Sequence, residues 1–206
     1  MKVAAKMMSG LVKLSLIMTL AVSAAVNAAP IINGTLGLTG GNPDIQSNFL
    51  SFDYIESTDL FSINGFADQL TYNGSSQAIA NGVFTIAGSA DAGNANLALT
   101  IQGDIGSGVE NLLSGSLNVM ANSGVGVFEF LFGGLSGSLA SLFGTEAGLI
   151  FSDSAVSGFD FSSDLSTQYT GVSDTFGTGV SVSAPATFSL SILGFVLLAV
   201  ARRKRV

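Results

Sequence analysis

The sequence predicts an all-β protein: an antiparallel β-sandwich or roll with one short helix, flanked by an N-terminal signal helix and a C-terminal transmembrane helix. Three observations carry this. Several segments between residues 82 and 163 alternate apolar and polar residues with a period of two, the pattern of a half-buried strand. Turn formers separate them, in a chain of 206 residues that holds 26 glycines. Finally, apolar runs beside basic residues occupy both ends, and no Lys or Arg stands between Lys13 and Arg202.

Residues 1–28 have the secretory pattern. Lys2, Lys6 and Lys13 precede an apolar run over 14–22, small residues follow, and Val26 and Ala28 fit the −3 and −1 positions of a signal-peptidase site. The alternative is an uncleaved membrane anchor.

A β-rich exported domain is expected over 29–165. "LGLTG" (36–40), "NFLSFDY" (48–54) and "DLFSING" (59–65) are less regular strands. In "NLALTIQG", Leu97, Leu99 and Ile101 share one face. In "VGVFEFLF", Phe128, Phe130 and Phe132 oppose Val127, Glu129 and Leu131. "GVFTIAG" (82–88), "GSLNVMA" (115–121), "GLIFS" (148–152) and "GFDFSS" (158–163) read as shorter strands. Asn64-Gly65, Asn73-Gly74 and Asn81-Gly82 are hairpin signals. Leu135, Leu139, Leu142 and Phe143 fall at helical spacing, which predicts a short helix over 137–143 stopped by Gly144. Residues 166–182 thin in apolar content and read as a flexible tether. Repeated Gly-Ser-Leu and Gly-Val pairs have no fixed period, so a solenoid ranks second.

The C-terminal segment, 183–206, contains sixteen uncharged residues (186–201), just under the usual spanning length. Pro185 suits the first turn of a helix, and Ser183 can cap it. Arg202, Arg203, Lys204 and Arg205 then hold the C-terminus in the cytoplasm by the positive-inside rule. The alternative is a buried core helix with a basic tail, but 190–198 presents no polar face.

A short proline motif, an apolar helix with an internal Leu-Gly and a terminal Arg-rich cluster resemble the PEP-CTERM protein-sorting signal. The matching motif residues are Ala184, Pro185 and Ala186, followed by Thr187 and Phe188; the first proline and the glutamate of the family pattern are absent. The resemblance implies a Gram-negative source, processing by signal peptidase and exosortase, transient anchoring in the inner membrane facing the periplasm, and an association with exopolysaccharide. A looser similarity to PEP-CTERM proteins runs over 128–164 and brings no activity with it.

All fourteen acidic residues lie between Asp44 and Asp174, so the body carries only negative charge. Such a surface repels phosphate backbones, which excludes nucleic acid, and is a poor partner for anionic membranes. Without Cys or His there is no disulfide, thiolate zinc site or imidazole base. Lacking these and any body cation, the chain offers no activator for a nucleophile and no clamp for phosphate or carboxylate, and an enzyme is not expected. Glu110 and Glu129 are the candidate pair for a carboxylate-only glycosidase, the third-ranked function; an outward face charge is the preferred reading of Glu129. No cofactor is expected. Calcium is the one ion that Asp153, Asp160, Asp164 and Asp174, or Asp91 with Asn94 and Asn96, could take, although neither run fits an EF-hand loop or the glycine-rich nonapeptide; solvated acidic loops are the preferred reading. "NGT" (33–35) and "NGS" (73–75) match the glycosylation sequon and read as turns. The expected function is therefore an exported, non-enzymatic surface or extracellular-matrix protein of the biofilm type. A carbohydrate- or calcium-binding adhesin module is the alternative.

Overall fold

Period-two alternation builds strands where one face can be buried. The computed structural model describes residues 29–91 and 94–178. These form β1 (Ala29–Asn33), β2 (Asp44–Ile55), β3 (Leu60–Tyr72), β4 (Ser75–Ala78), β5 (Ala80–Asp91), β6 (Asn94–Asp104), β7 (Glu110–Asn122), β8 (Val125–Ser136), β9 (Glu146–Ser157), β10 (Leu165–Ser166) and β11 (Gly171–Gly177). One short helix, α1 (Ala140–Phe143), follows β8. The all-β expectation and the single helix hold. The signal peptide, with Val26 and Ala28, and the C-terminal segment, with Ala184, Pro185, Ala186, Arg202, Arg203, Lys204 and Arg205, lie outside the described residues. Among the described residues no helix is long and apolar enough to cross a membrane.

The sheet is neither a sandwich nor an open roll. Its order runs β2–β11–β9–β8–β7–β1–β6–β5–β3, and β3 pairs back onto β2, closing a nine-stranded barrel. Closure removes the edges that two packed sheets would leave. Every pairing is antiparallel except β1–β7, where Ile31, Ile32 and Asn33 run parallel to Met120, Ala121 and Asn122. β6 and β7 pair directly from Ala98↔Ser116 to Gly103↔Glu110 and part where β1 is wedged between them. β4 adds to β3 through a two-residue turn at Asn73-Gly74, both at positive φ (50° and 76°), the left-handed geometry a tight hairpin requires. Asn64-Gly65 and Asn81-Gly82 instead lie inside β3 and β5.

Phenylalanine fills the barrel. Phe128, Phe130 and Phe132 stack along β8, with centroids 6.1 and 5.9 Å apart. Phe52 meets Phe61 edge-on at 5.1 Å and stacks on Phe128 at 5.6 Å and Phe151 at 6.2 Å. Such pairs add roughly 0.5–1.5 kcal/mol each beyond the burial of their area. The rings fit because β11 is thin. Its inward positions are Gly171, Ser173 and Thr175, and a Cβ on Gly171 would collide with the Phe151 ring.

β11 corrects the expected tether over 166–182. Its small inward residues lack an apolar signature, yet it pairs with β2 on one side and β9 on the other and closes the wall. "GFDFSS" is likewise not a strand. Phe161 at φ 65° breaks the extension, and the loop folds Phe159 and Phe161 across one mouth, against Phe52, Tyr54 and Phe128. "LGLTG" is irregular chain. The expected helix contracts to α1; the Gly144 N–H donates to the Ala140 carbonyl, and Leu139 and Phe143 are buried at the opposite mouth.

Residues 34–43 carry the chain from β1, beside β7, to β2, beside β11, and so must cross β7, β8, β9 and β11 on the outside. This strap buries an outer strip of Val119, Ala121, Leu131 and Phe176, apart from the main core, beneath Leu38 and neighbouring backbone. Gly177 N–H donates to the Pro43 carbonyl (2.9 Å) where the strap enters β2.

Phe128→Ala should cost about 3–5 kcal/mol in urea unfolding, because it opens a cavity among six aromatic neighbours in a wall that cannot collapse inward. A loss below about 1 kcal/mol would show that the rings do not carry the core.

Candidate functional site

Glu129, expected as an outward charge or catalytic acid, is buried beneath the strap. Its Oε2 accepts the Leu36 and Gly37 backbone N–H groups, the latter at 3.1 Å. It anchors the crossing chain. Glu110 opens β7, eleven residues before Ala121, the residue paired with Glu129. At the rise of a strand this places the two carboxylates about 35 Å apart, against the roughly 5–9.5 Å of a glycosidase pair. That pairing is overturned.

The aspartates scatter as well. Asp153 is buried and accepts from Ala155 N–H and the Thr170 hydroxyl, both at 2.8 Å. Asp164 accepts from Glu56 N–H (2.7 Å), which ties the mouth loop to the β2–β3 connection. Asp91 pairs with Asn94 across β5 and β6, with Asn96 two residues further along β6. Among the described residues no three carboxylates gather as a metal site.

Asp174 stands on the outer wall diagonal to Asp44, since Gln46 pairs with Asp174 and Asp44 with Phe176. Burial under the strap, and then the Asp174 charge, push the Asp44 carboxyl up to about 6. Burial also raises Asp174. No sequence pattern signals this pair, because the two residues lie 130 positions apart and meet only through closure.

A concavity of mixed chemistry lies at the Phe159 mouth. Asn33 and Gly34, the β7–β8 turn at 122–124, and 158–161 line a pocket of about 350 Å³. Asn122 is its keystone. Its Nδ2 donates to the Phe159 carbonyl (2.7 Å), its Oδ1 accepts Gly124 N–H (2.9 Å), and its backbone carbonyl accepts Gly34 N–H (2.8 Å). Gly158 N–H closes the ring onto the Gly124 carbonyl (3.0 Å). The wall combines Phe159 and Phe161 with the carboxylate of Asp160. Asp160 Oδ1 accepts the Ser162 N–H (3.1 Å) and hydroxyl (2.5 Å), and these two bonds hold its carboxyl below the usual range. Of this set, only Asp160 was a candidate from sequence. Asn33 and Asn122 are single amides whose meaning comes from the β1 wedge.

Two outcomes follow. Asn122→Ala should cost about 2–3 kcal/mol, since it leaves the Phe159 carbonyl and Gly124 N–H unpaired; a loss below about 0.5 kcal/mol would remove Asn122 as the keystone. For Asp44, the folded pKa lies above the unfolded value, so the folded state binds more protons between about pH 4 and 6 and stability falls as pH rises through that window. Asp44→Asn should therefore raise the melting temperature at pH 7.5 and flatten its dependence between pH 7.5 and 5. Equal pH slopes in the two proteins would contradict the repulsive pair.

The chain matches no family model, no curated protein and no solved structure.

Proposed function

We propose that the chain is an exported, non-enzymatic surface or extracellular-matrix protein, delivered through the inner membrane by its N-terminal signal helix. Its C-terminal transmembrane helix anchors it facing the periplasm until an exosortase-type enzyme cuts at the PEP-CTERM-like signal around Pro185. The observation that carries the reading is the partition of charge. All seven cations lie in the two terminal segments, and all fourteen carboxylates lie between them. That distribution favours a body on the far side of the membrane with both flanks held back. One structural fact supports it. The closed wall is complete within residues 29–177, inside the stretch that processing would release.

The second reading is a glycan-binding adhesin module on the same route. The mouth pocket favours it, with its mixture of amide, carboxylate and ring edge.

Mass spectrometry of the protein isolated from its host should find a species starting at Ala29 and ending near Pro185. Replacing Arg202, Arg203, Lys204 and Arg205 with Gln should leave the C-terminus unprocessed. An intact Val206 on a membrane-bound wild-type form would reduce the C-terminal segment to an ordinary anchor.

A further inference from the structure

The mouth pocket is assembled from three segments far apart in sequence and fixed by the bonds of Asn122, so its shape does not await a ligand. Phe161 lines it in the left-handed region, at φ 65°, a conformation that bulky residues rarely adopt and that gathers at functional sites. Gly34, Gly124 and Gly158, also at positive φ, keep side chains off the rim.

The groups left to act define the ligand. Asn33 is exposed on the rim, and its amide offers one donor group and one acceptor. Asp160 engages Ser162 through Oδ1 alone, and Oδ2 stays open as an acceptor. Phe159 and Phe161 are buried in the core cluster and show the pocket only ring edges. No cation occurs among the described residues, so a phosphate, sulfate or carboxylate would meet only repulsion. A calcium ion needs six to eight oxygens, and this pocket holds one carboxylate. What fits is an uncharged molecule with closely spaced hydroxyls. A carboxylate and an amide together read adjacent hydroxyls.

We propose that this pocket binds a neutral sugar residue of a glycan, with Asn33 and Asp160 reading adjacent hydroxyls. The assignment rests on the second reading above, that the exported barrel is a glycan-binding module, and gives that reading its site.

The test is affinity electrophoresis of the full chain in mild detergent, through gels carrying neutral dextran, galactomannan or xyloglucan, with alginate as the anionic control. At least one neutral polymer should retard the protein, and alginate should not. Asn33→Ala and Asp160→Asn should each weaken retardation about tenfold, the scale of one lost hydrogen bond to the ligand. Both variants should melt within a few degrees of wild type, since neither residue is in the core. Retardation by a neutral polymer that both variants retain would overturn the pocket and leave the glycan-binding reading standing elsewhere on the barrel. Retardation by alginate alone, or by nothing, would overturn both. The sorting route is tested separately by the mature termini.

Discussion

Everything in this molecule depends on β11 being narrow. A nine-stranded wall encloses limited space, and the phenylalanines of β2, β8 and β9 claim most of it. A closing strand with large inward side chains would force those rings off their positions. Gly171, Ser173 and Thr175 leave the room, and the strand fastens β2 to β9 through its backbone rather than through apolar contacts. Size is thus distributed around the barrel unequally, with bulk on some strands and its absence on the one that shuts it.

Closure dictates the rest. Because β1 sits between β6 and β7 while β2 sits beside β11, the intervening chain must cross four strands outside the wall. A strap of that length would expose backbone donors against the outer surface. Glu129 accepts two of them, and the strip from Val119 to Phe176 supplies the apolar seat beneath. The same wedge by β1 brings Asn33 and Gly34 to the β7–β8 turn, so the mouth pocket is a by-product of topology before it is a binding surface.

How much of this was legible in the sequence varies with the physics of each element. β6 and β8 were plain, because Leu97, Leu99, Ile101 and the Phe128–Phe130–Phe132 row alternate and face a dry interior. The stop at Gly144 and the hairpin at Asn73-Gly74 were legible because left-handed backbone selects its residues. β11 was not, since a strand whose task is to leave space has no apolar pattern to show. Phe159 and Phe161 alternated like a strand yet serve as a plug, and alternation cannot tell a buried face from two rings folded over an opening. Barrel closure itself was out of reach. It rests on β3 pairing back to β2, and period-two patterning describes faces, not neighbours. The site was legible only in its acidic residue types.

The absence of cations among the described residues explains how the carboxylates are used. A buried or half-buried carboxylate needs compensation, which in most domains comes in part from Lys or Arg. Here backbone N–H groups and hydroxyls supply it. Glu129 takes the strap, Asp153 takes Ala155 and Thr170, Asp164 takes Glu56, Asp104 takes Gly106 and Gly108, and Asp160 takes Ser162. Each acid therefore organises a loop or a crossing, and the loops at the Phe159 mouth are set by acids as much as by glycines. Asp44 is the exception that shows the cost. Half-buried, with one oxygen unpartnered and Asp174 on the diagonal, it is pushed toward its neutral form. A domain built this way keeps an acidic exterior without paired charge. Such an exterior repels anionic molecules, and no cation among the described residues stands at the mouth pocket to hold one.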